Sequence, residues 1–282
     1  MKIDAVITYV DMYEQVWLAN YIKTFDCNLI NACRYKPLGT IHLQIECIRR
    51  FMPWINNIYV VVSNKEQLQT NRAIVITHDQ FIPEKYLPTF NSTTIEMFLY
   101  RIPGLADYFI YFNDDMFPIR PVDETAFFNG KPVCAFKRCK KDPLNKFRHH
   151  CKNGSNLARM LNGFEPAEDY IMPYHICTMQ SKQAYEQVWE GADNVLDKSV
   201  SRVRTNKNFN QYLFADYMYF SGMCTLKKLD YTYIEYKDTT PEQLFNIVTK
   251  PEHDFLCVCD NVQEPDTYNR RLIQGLTDIL SK

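Results

Sequence analysis

No stretch of this sequence reads G-x-G-x-x-G, and glycine is scarce, with eight in 282 residues; both facts argue against a dinucleotide site built on a glycine-rich turn. No apolar run approaches the length of a membrane span, and Met1 to Val6 lacks the charged-then-apolar layout of a leader, so a cytoplasmic protein is expected. Net charge is nearly absent. Thirty-two lysines and arginines stand against thirty-three acids, which removes the broadly basic surface that nucleic-acid binding relies on. No nucleic-acid partner is expected, and an anionic ligand would have to be held by a local cluster. Repeated C-x-x-C pairs are missing too. Ten cysteines are scattered along the chain, and the one close spacing, Cys257-Val258-Cys259, is too tight for a zinc knuckle. Reduced, buried thiols are the expectation. Repeats and low-complexity linkers are absent as well, leaving one large domain over residues 1–282 with a weak internal boundary near 137–155, at Gly154-Ser155.

What is present is a set of short apolar runs that stop at polar residues. Residues 3–10 (IDAVITYV), 58–62 (IYVVV), 73–76 (AIVI) and 108–112 (YFIYF) are β-branched or aromatic and read as strands buried on both faces. They end respectively at Asp11, Ser63-Asn64, Thr77-His78-Asp79 and Asn113-Asp114-Asp115. Helical patterns lie between them, among them 41–51 with Ile41, Ile45, Ile48 and Phe51. This alternation predicts an α/β fold, Rossmann-like and doubly wound, with a mostly parallel sheet, helices on both faces and a helical C-terminal part. In such a sheet ligands bind at the carboxyl ends of the strands.

The richest stretch is 87–118, LPTFNSTTIEMFLYRIPGLADYFIYFNDDMFP. Asn91 and Ser92 precede Ile95 and Glu96 as a capped helix start would, and Pro103-Gly104 ends the helical reading. Acids at the end of a buried strand are costly unless they face a cation or polar ligand; a turn or cap accounts for Asn113-Asp114-Asp115 equally well. His42 and Glu46, four apart on one helix face, read as a surface pair. Residues 25–31 read as a connecting loop. Residues 137–152 (KRCKKDPLNKFRHHCK) are strongly basic and, with Pro143, Asn145 and His149-His150, read as an exposed loop; a flap over a phosphate is the functional alternative. His175, Arg202 and Arg204 follow, then an aromatic helix over 209–220 and an apolar run over 252–261 that ends at Asp260-Asn261.

These segments resemble one family. IDAVITYVD, PWINNIYVVVSN, LPTFNSTTIEMFLYRIPGL with FIYFNDDMF, PYHICTMQSKQAYEQVW and FLCVCDNV are similar to the successive conserved regions of the Stealth proteins, sugar-1-phosphate transferases of capsule and exopolysaccharide synthesis related to the eukaryotic N-acetylglucosamine-1-phosphotransferase. The resemblance spans residues 3 to about 261 and implies a Rossmann-like, GT-A-like fold. It also implies a reaction in which hexose-1-phosphate passes from a nucleotide-diphosphate sugar to a hydroxyl of an acceptor glycan. That reaction leaves a phosphodiester and releases a nucleoside monophosphate.

Carried over residue by residue, the resemblance gives His175, Arg204, Asp114 and Asp115 the catalytic roles, with Asp114 and Asp115 holding Mg²⁺ or Mn²⁺. Donor binding falls to Asp11, Arg34, Asn91, Ser92, Glu96, Asn113, Asp260 and Asn261. A UDP-sugar donor, a glycan or lipid-linked glycan acceptor and peripheral attachment to a membrane polysaccharide assembly, at its cytoplasmic face, are further implications. The chain departs from the family pattern at His42 and Glu46, where arginines are familiar, and at Gln80, Cys177 and Cys259. Two other functions share the same residues: a conventional metal-dependent glycosyltransferase, and a non-catalytic glycan-binding component of a capsule complex.

Overall fold

The computed structural model describes residues 1–25, 32–140, 145–262 and 264–282. Its strands in chain order are β1 (Ile3–Thr8), β2 (Ile58–Val62), β3 (Ile74–Thr77), β4 (Tyr108–Asn113), β5 (Met116–Pro118), β6 (Val133–Cys134), β7 (Phe136–Cys139), β8 (Tyr170–Pro173), β9 (Thr178–Ser181), β10 (Thr225–Leu226), β11 (Tyr231–Glu235) and β12 (Phe255–Cys259). The helices are α1 (Gln15–Phe25), α2 (Ala32–Tyr35), α3 (Ile41–Phe51), α4 (Ser92–Glu96), α5 (Lys146–Leu161), α6 (Lys182–Ser199), α7 (Tyr212–Phe220), α8 (Pro241–Thr249) and α9 (Asp266–Leu280).

The main sheet has five strands in the order β3-β2-β1-β4-β9. β1 to β4 are parallel to their neighbours, and β9 adds an antiparallel edge. Side chains alternate between its two faces. Ile3, Ala5, Ile7, Val60 and Ile110 pack with Ile41, Ile45 and Ile48 of α3, while Val6, Val61, Phe109 and Tyr111 pack with Tyr185 and Val188 of α6 and Leu213 and Phe214 of α7. Burial on both faces is why these strands read as unbroken apolar runs. Each fully buried aliphatic or aromatic side chain contributes roughly 1.5–3 kcal/mol, and this fixes the register that sets Thr8 level with Asn113.

A second sheet, β11-β12-β5, lies beside the first. β5 follows β4 after the Asp114-Asp115 turn and pairs antiparallel with β12, Met116 opposite Cys257. The helical C-terminal part packs on this sheet: Leu244 and Val248 of α8 and Leu272 and Leu276 of α9 share a core with Leu256 and Val258.

Two local expectations are corrected. The basic segment 137–152 is not a loop. Its start is β7, paired antiparallel with β8, and residues 146–152 are the first two turns of α5, capped by Asn145 Oδ1 accepting from Arg148 N at 3.0 Å; residues 141–144 lie outside the described residues. α5 escapes pattern reading because its buried face is His150, Cys151, Gly154, Ser155 and Ala158, small and polar where a helix stripe is ordinarily aliphatic. Glu46 does not pair with His42 either. The Arg72 guanidinium reaches it with two hydrogen bonds, at 2.7 and 3.0 Å, a forked geometry that imidazole cannot match. Of the connecting loop expected over 25–31, Phe25 closes α1 and residues 26–31 lie outside the described residues.

Candidate active site

The parallel strands end on one rim, and several of the polar residues that stop them, Ser63, His78 and Asn113 to Asp115, line a cavity of about 640 Å³. Tyr111 at the end of β4 organises the rim. Its hydroxyl lies 2.9 Å from Thr8 Oγ1 and donates to Asn113 Oδ1 at 2.9 Å. The following turn is held from below by Gln44 of α3, whose buried amide donates to Asn113 O and Met116 O, both at 2.7 Å. From the second sheet, Val258 N donates to Asp115 O at 3.0 Å, which draws Asp260 toward Asp114 and Asp115.

This acidic wall carries charge that burial opposes. The Asp114 carboxyl is pushed up to about 7, first by burial and then by the charge of Asp260. Burial, then Asp114, holds Asp115 well above the usual carboxylate range. Burial raises Asp260 as well. Asp115 Oδ1 is sealed from solvent and accepts no hydrogen bond among the described residues. A divalent cation fits here: one or two carboxylates with phosphate oxygens is the coordination magnesium prefers, and its charge would reverse the effect of burial.

The opposite wall is cationic. Asn91 caps α4, its side chain accepting from Thr93 N at 3.2 Å, and its amide donates to Ser201 O at 3.0 Å. This ties α4 to the segment that leads into α7. Arg204 on that segment bonds Ser92 Oγ through Nη2, while its Nε is sealed and finds no acceptor among the described residues. Glu96 accepts from Gln211 N at 3.0 Å. Burial dominates both partners: it holds Glu96 above and Arg204 below their ordinary values despite their mutual attraction. Arg34 and Lys146 also line the cavity.

His175 sits in the turn between β8 and β9. Its Nδ1 lies 3.4 Å from the Tyr212 hydroxyl, and the rings of Phe147 and Tyr233 flank it, each centroid at 5.9 Å. Burial, with Lys137 adding to it, lowers its pKa, so the imidazole is neutral at pH 7 and free to take a proton. Asp115, His175 and Cys257 each bring a potential metal-ligating atom within 4.8 Å of the other two.

Ten of the twelve residues singled out from the sequence therefore line one cavity: Arg34, Asn91, Ser92, Glu96, Asn113, Asp114, Asp115, His175, Arg204 and Asp260. Two do not. Asp11 turns away to accept from Tyr13 N at 2.8 Å at the entry to α1. The Asn261 amide donates to Glu235 Oε2 at 2.8 Å and its oxygen accepts from Lys237 N at 3.2 Å, which fastens it to the end of β11. Sequence reasoning missed Gln44 and Tyr212, whereas Lys146 belongs to the basic segment for which a flap over a phosphate was the functional alternative. Gln44 is a polar residue within the apolar pattern of α3, a signal that was there to be used. Tyr212 is one aromatic among many.

Residues 34–135 match the family model described as Stealth protein CR2, conserved region 2. That span carries Arg34, the α4 cap and the Asn113-Asp115 turn, and ends before His175. A capsular polysaccharide phosphotransferase of Actinobacillus suis is 28% identical over 82% of this chain and 68% of its own length. The receptor polysaccharide phosphotransferase WefC of Streptococcus gordonii is 24% identical over 99% of this chain and 97% of its own. The exopolysaccharide phosphotransferase cps2G of Lactiplantibacillus plantarum is 35% identical over 55% of this chain and 48% of its own. Among solved structures, the galactosyltransferase LgtC in complex with donor and acceptor sugar analogs aligns over 98% of this chain and 95% of its own, at 8% identity and a TM-score of 0.46.

Proposed function

This chain belongs to the Stealth family, and from that premise we propose that it is a phosphotransferase of polysaccharide assembly. It moves hexose-1-phosphate from a nucleotide-diphosphate sugar, a UDP-sugar by preference, to a hydroxyl of an acceptor glycan. The acceptor oxygen forms a bond to the sugar-bearing phosphorus, and the phosphoanhydride bond breaks. The nucleoside monophosphate leaves with the electron pair, and the hydroxyl proton passes to His175. Neutral imidazole suits that task, and the Tyr212 hydroxyl with the flanking rings of Phe147 and Tyr233 restrains its orientation.

Arg204 and Arg34, whose side chains both line the cavity, hold non-bridging phosphate oxygens as the charge on them shifts. Asp114 and Asp115 would hold Mg²⁺, which supplies charge neutralisation at the diphosphate. Glu96 and Asn91 serve by building the wall, since both are buried and committed to protein partners. No helix among the described residues is long and apolar enough to cross a membrane.

The observation that carries this reading is convergence. A carboxylate pair, an imidazole and two guanidiniums, spread from residue 34 to residue 204, line one cavity of about 640 Å³, within the size range of pockets that enclose small ligands. The test is the leaving group. With a UDP-sugar, Mg²⁺ and a glycan acceptor, UMP release and a diester resonance in the phosphorus NMR spectrum of the product are expected. Release of UDP with a phosphorus-free product would make the chain a conventional glycosyltransferase and overturn the reading.

A further inference from the structure

One side chain beside the site plays no part in that reaction. Cys257 in β12 is fully buried. The pairing of β12 with β5 sets it opposite Met116, next to Asp115 in the chain, and the Asp115 carboxyl, a ring nitrogen of His175 and the Cys257 thiol mutually approach within 4.8 Å. A second feature of the same spot is the sealed Asp115 Oδ1, a buried acceptor with no donor among the described residues.

Thiolate, imidazole and carboxylate together are not donors that magnesium selects. They are the donor types of zinc sites, where three protein ligands leave a fourth position open. Tetrahedral coordination at about 2.0–2.3 Å sets ligand atoms roughly 3.3–3.8 Å apart, so side-chain movements of about an ångström would close the trio on one ion. We propose that Asp115, His175 and Cys257 form a site for a thiophilic divalent cation, with Zn²⁺ as its type, which overlaps the carboxylates assigned to Mg²⁺.

Binding displaces the Cys257 proton to solvent and engages the thiolate, an imidazole lone pair and one carboxylate oxygen. Such an ion inhibits transfer, because an engaged imidazole has no lone pair for the acceptor proton and Asp115 is diverted from the diphosphate. The inhibition rests on the phosphotransferase reading. The binding does not, and the two are tested apart.

Cobalt is the probe for binding. Titration of the metal-stripped full chain with Co²⁺ is expected to give a thiolate-to-cobalt charge-transfer band that saturates at one equivalent and is bleached by Zn²⁺. Cys257→Ser and Cys257→Ala lose the band, whereas Cys259→Ser, at the partly exposed neighbour, keeps it. His175→Asn weakens Co²⁺ binding at least tenfold, which keeps the proposal falsifiable where a buried Cys257 variant fails to fold. Absence of the band in the unaltered chain, or its full retention in the Cys257 or His175 variants, overturns the site.

For inhibition, the Zn²⁺ concentration that halves Mg²⁺-supported UMP release is expected to rise at least tenfold in Cys257→Ala, measured against that variant's own rate. An unchanged value overturns inhibition through this site. A chain that binds Co²⁺ as described but never releases UMP retires the transferase reading and leaves the cation site standing.

Discussion

At the scale of single residues, His175 and Arg204 make opposite demands on burial. Desolvation keeps the imidazole neutral, which a proton acceptor needs, and works against the guanidinium, which Glu96 offsets in part. His175→Ala should lower turnover by about 10²–10⁴-fold, the range of general-base catalysis, with the fold retained. Arg204→Lys should lose at least about a hundredfold, since an ammonium cannot hold two phosphate oxygens in a fork. Nucleotide release assays read both changes; turnover near the unaltered level in either variant would remove that residue from the chemistry.

His78, also on the cavity wall, supplies a stability test. Burial drives its pKa down to about 4, below the ordinary value near 6.5 of an unfolded chain. The folded-state value is the depressed one, so the contribution is intact above pH 6.5 and is lost as pH falls toward 4. Between pH 7 and pH 5 the unaltered chain should lose about 2 kcal/mol more than His78→Gln in urea unfolding. Parallel pH slopes for the two proteins would contradict this. His150 is pushed down to about 4 too, by burial, and steepens the same limb in both proteins.

At the scale of elements, α3 does more than cover a sheet face. Gln44 donates to the carbonyls on either side of the acidic turn, so helix, β4 and β5 are one unit. Gln44→Leu, nearly isosteric, orphans two buried acceptors, each at a cost of about 1–3 kcal/mol, and releases the loop that aims Asp114 and Asp115. Thermal unfolding should show that loss, and the Mg²⁺ concentration for half-maximal turnover should rise. Lost stability with unchanged Mg²⁺ dependence would reduce Gln44 to packing. α5 and α7 form the matching unit on the other wall. Gly154 lets them approach, since a Cβ there would meet Leu213 Cα at 3.3 Å.

At the scale of the molecule, what was legible in the sequence followed from burial. β1, β2 and β4 are covered on both faces, so their apolar runs and polar stops announced both the parallel sheet and the rim that borders the cavity. The Asn91 cap was equally readable, because a local side-chain hydrogen bond leaves a local signature. Less legible was whatever depends on partners far away in the chain. β12 reads as one more apolar strand but joins a separate sheet, and only its pairing with β5 reveals that Cys257 stands beside Asp115. α5 was misread because Gly154, Ser155 and Ala158 make its packing face. Asp11 and Asn261 carry the expected residue types at strand ends, yet nearby backbone and side-chain partners claim them.

The central claim is spatial: one diphosphate lies between the Asp114-Asp115 turn and Arg204, with its sugar-bearing phosphorus open to the hydroxyl that His175 deprotonates. A crystal structure of the chain with Mg²⁺ and a non-transferable UDP-sugar analogue tests it most directly. The account predicts the metal on Asp114 or Asp115, the diphosphate oxygens hydrogen-bonded to Arg204, and the imidazole on the side of phosphorus opposite the leaving UMP oxygen. A diphosphate bound outside this cavity, or within it but out of reach of both Arg204 and His175, would contradict it.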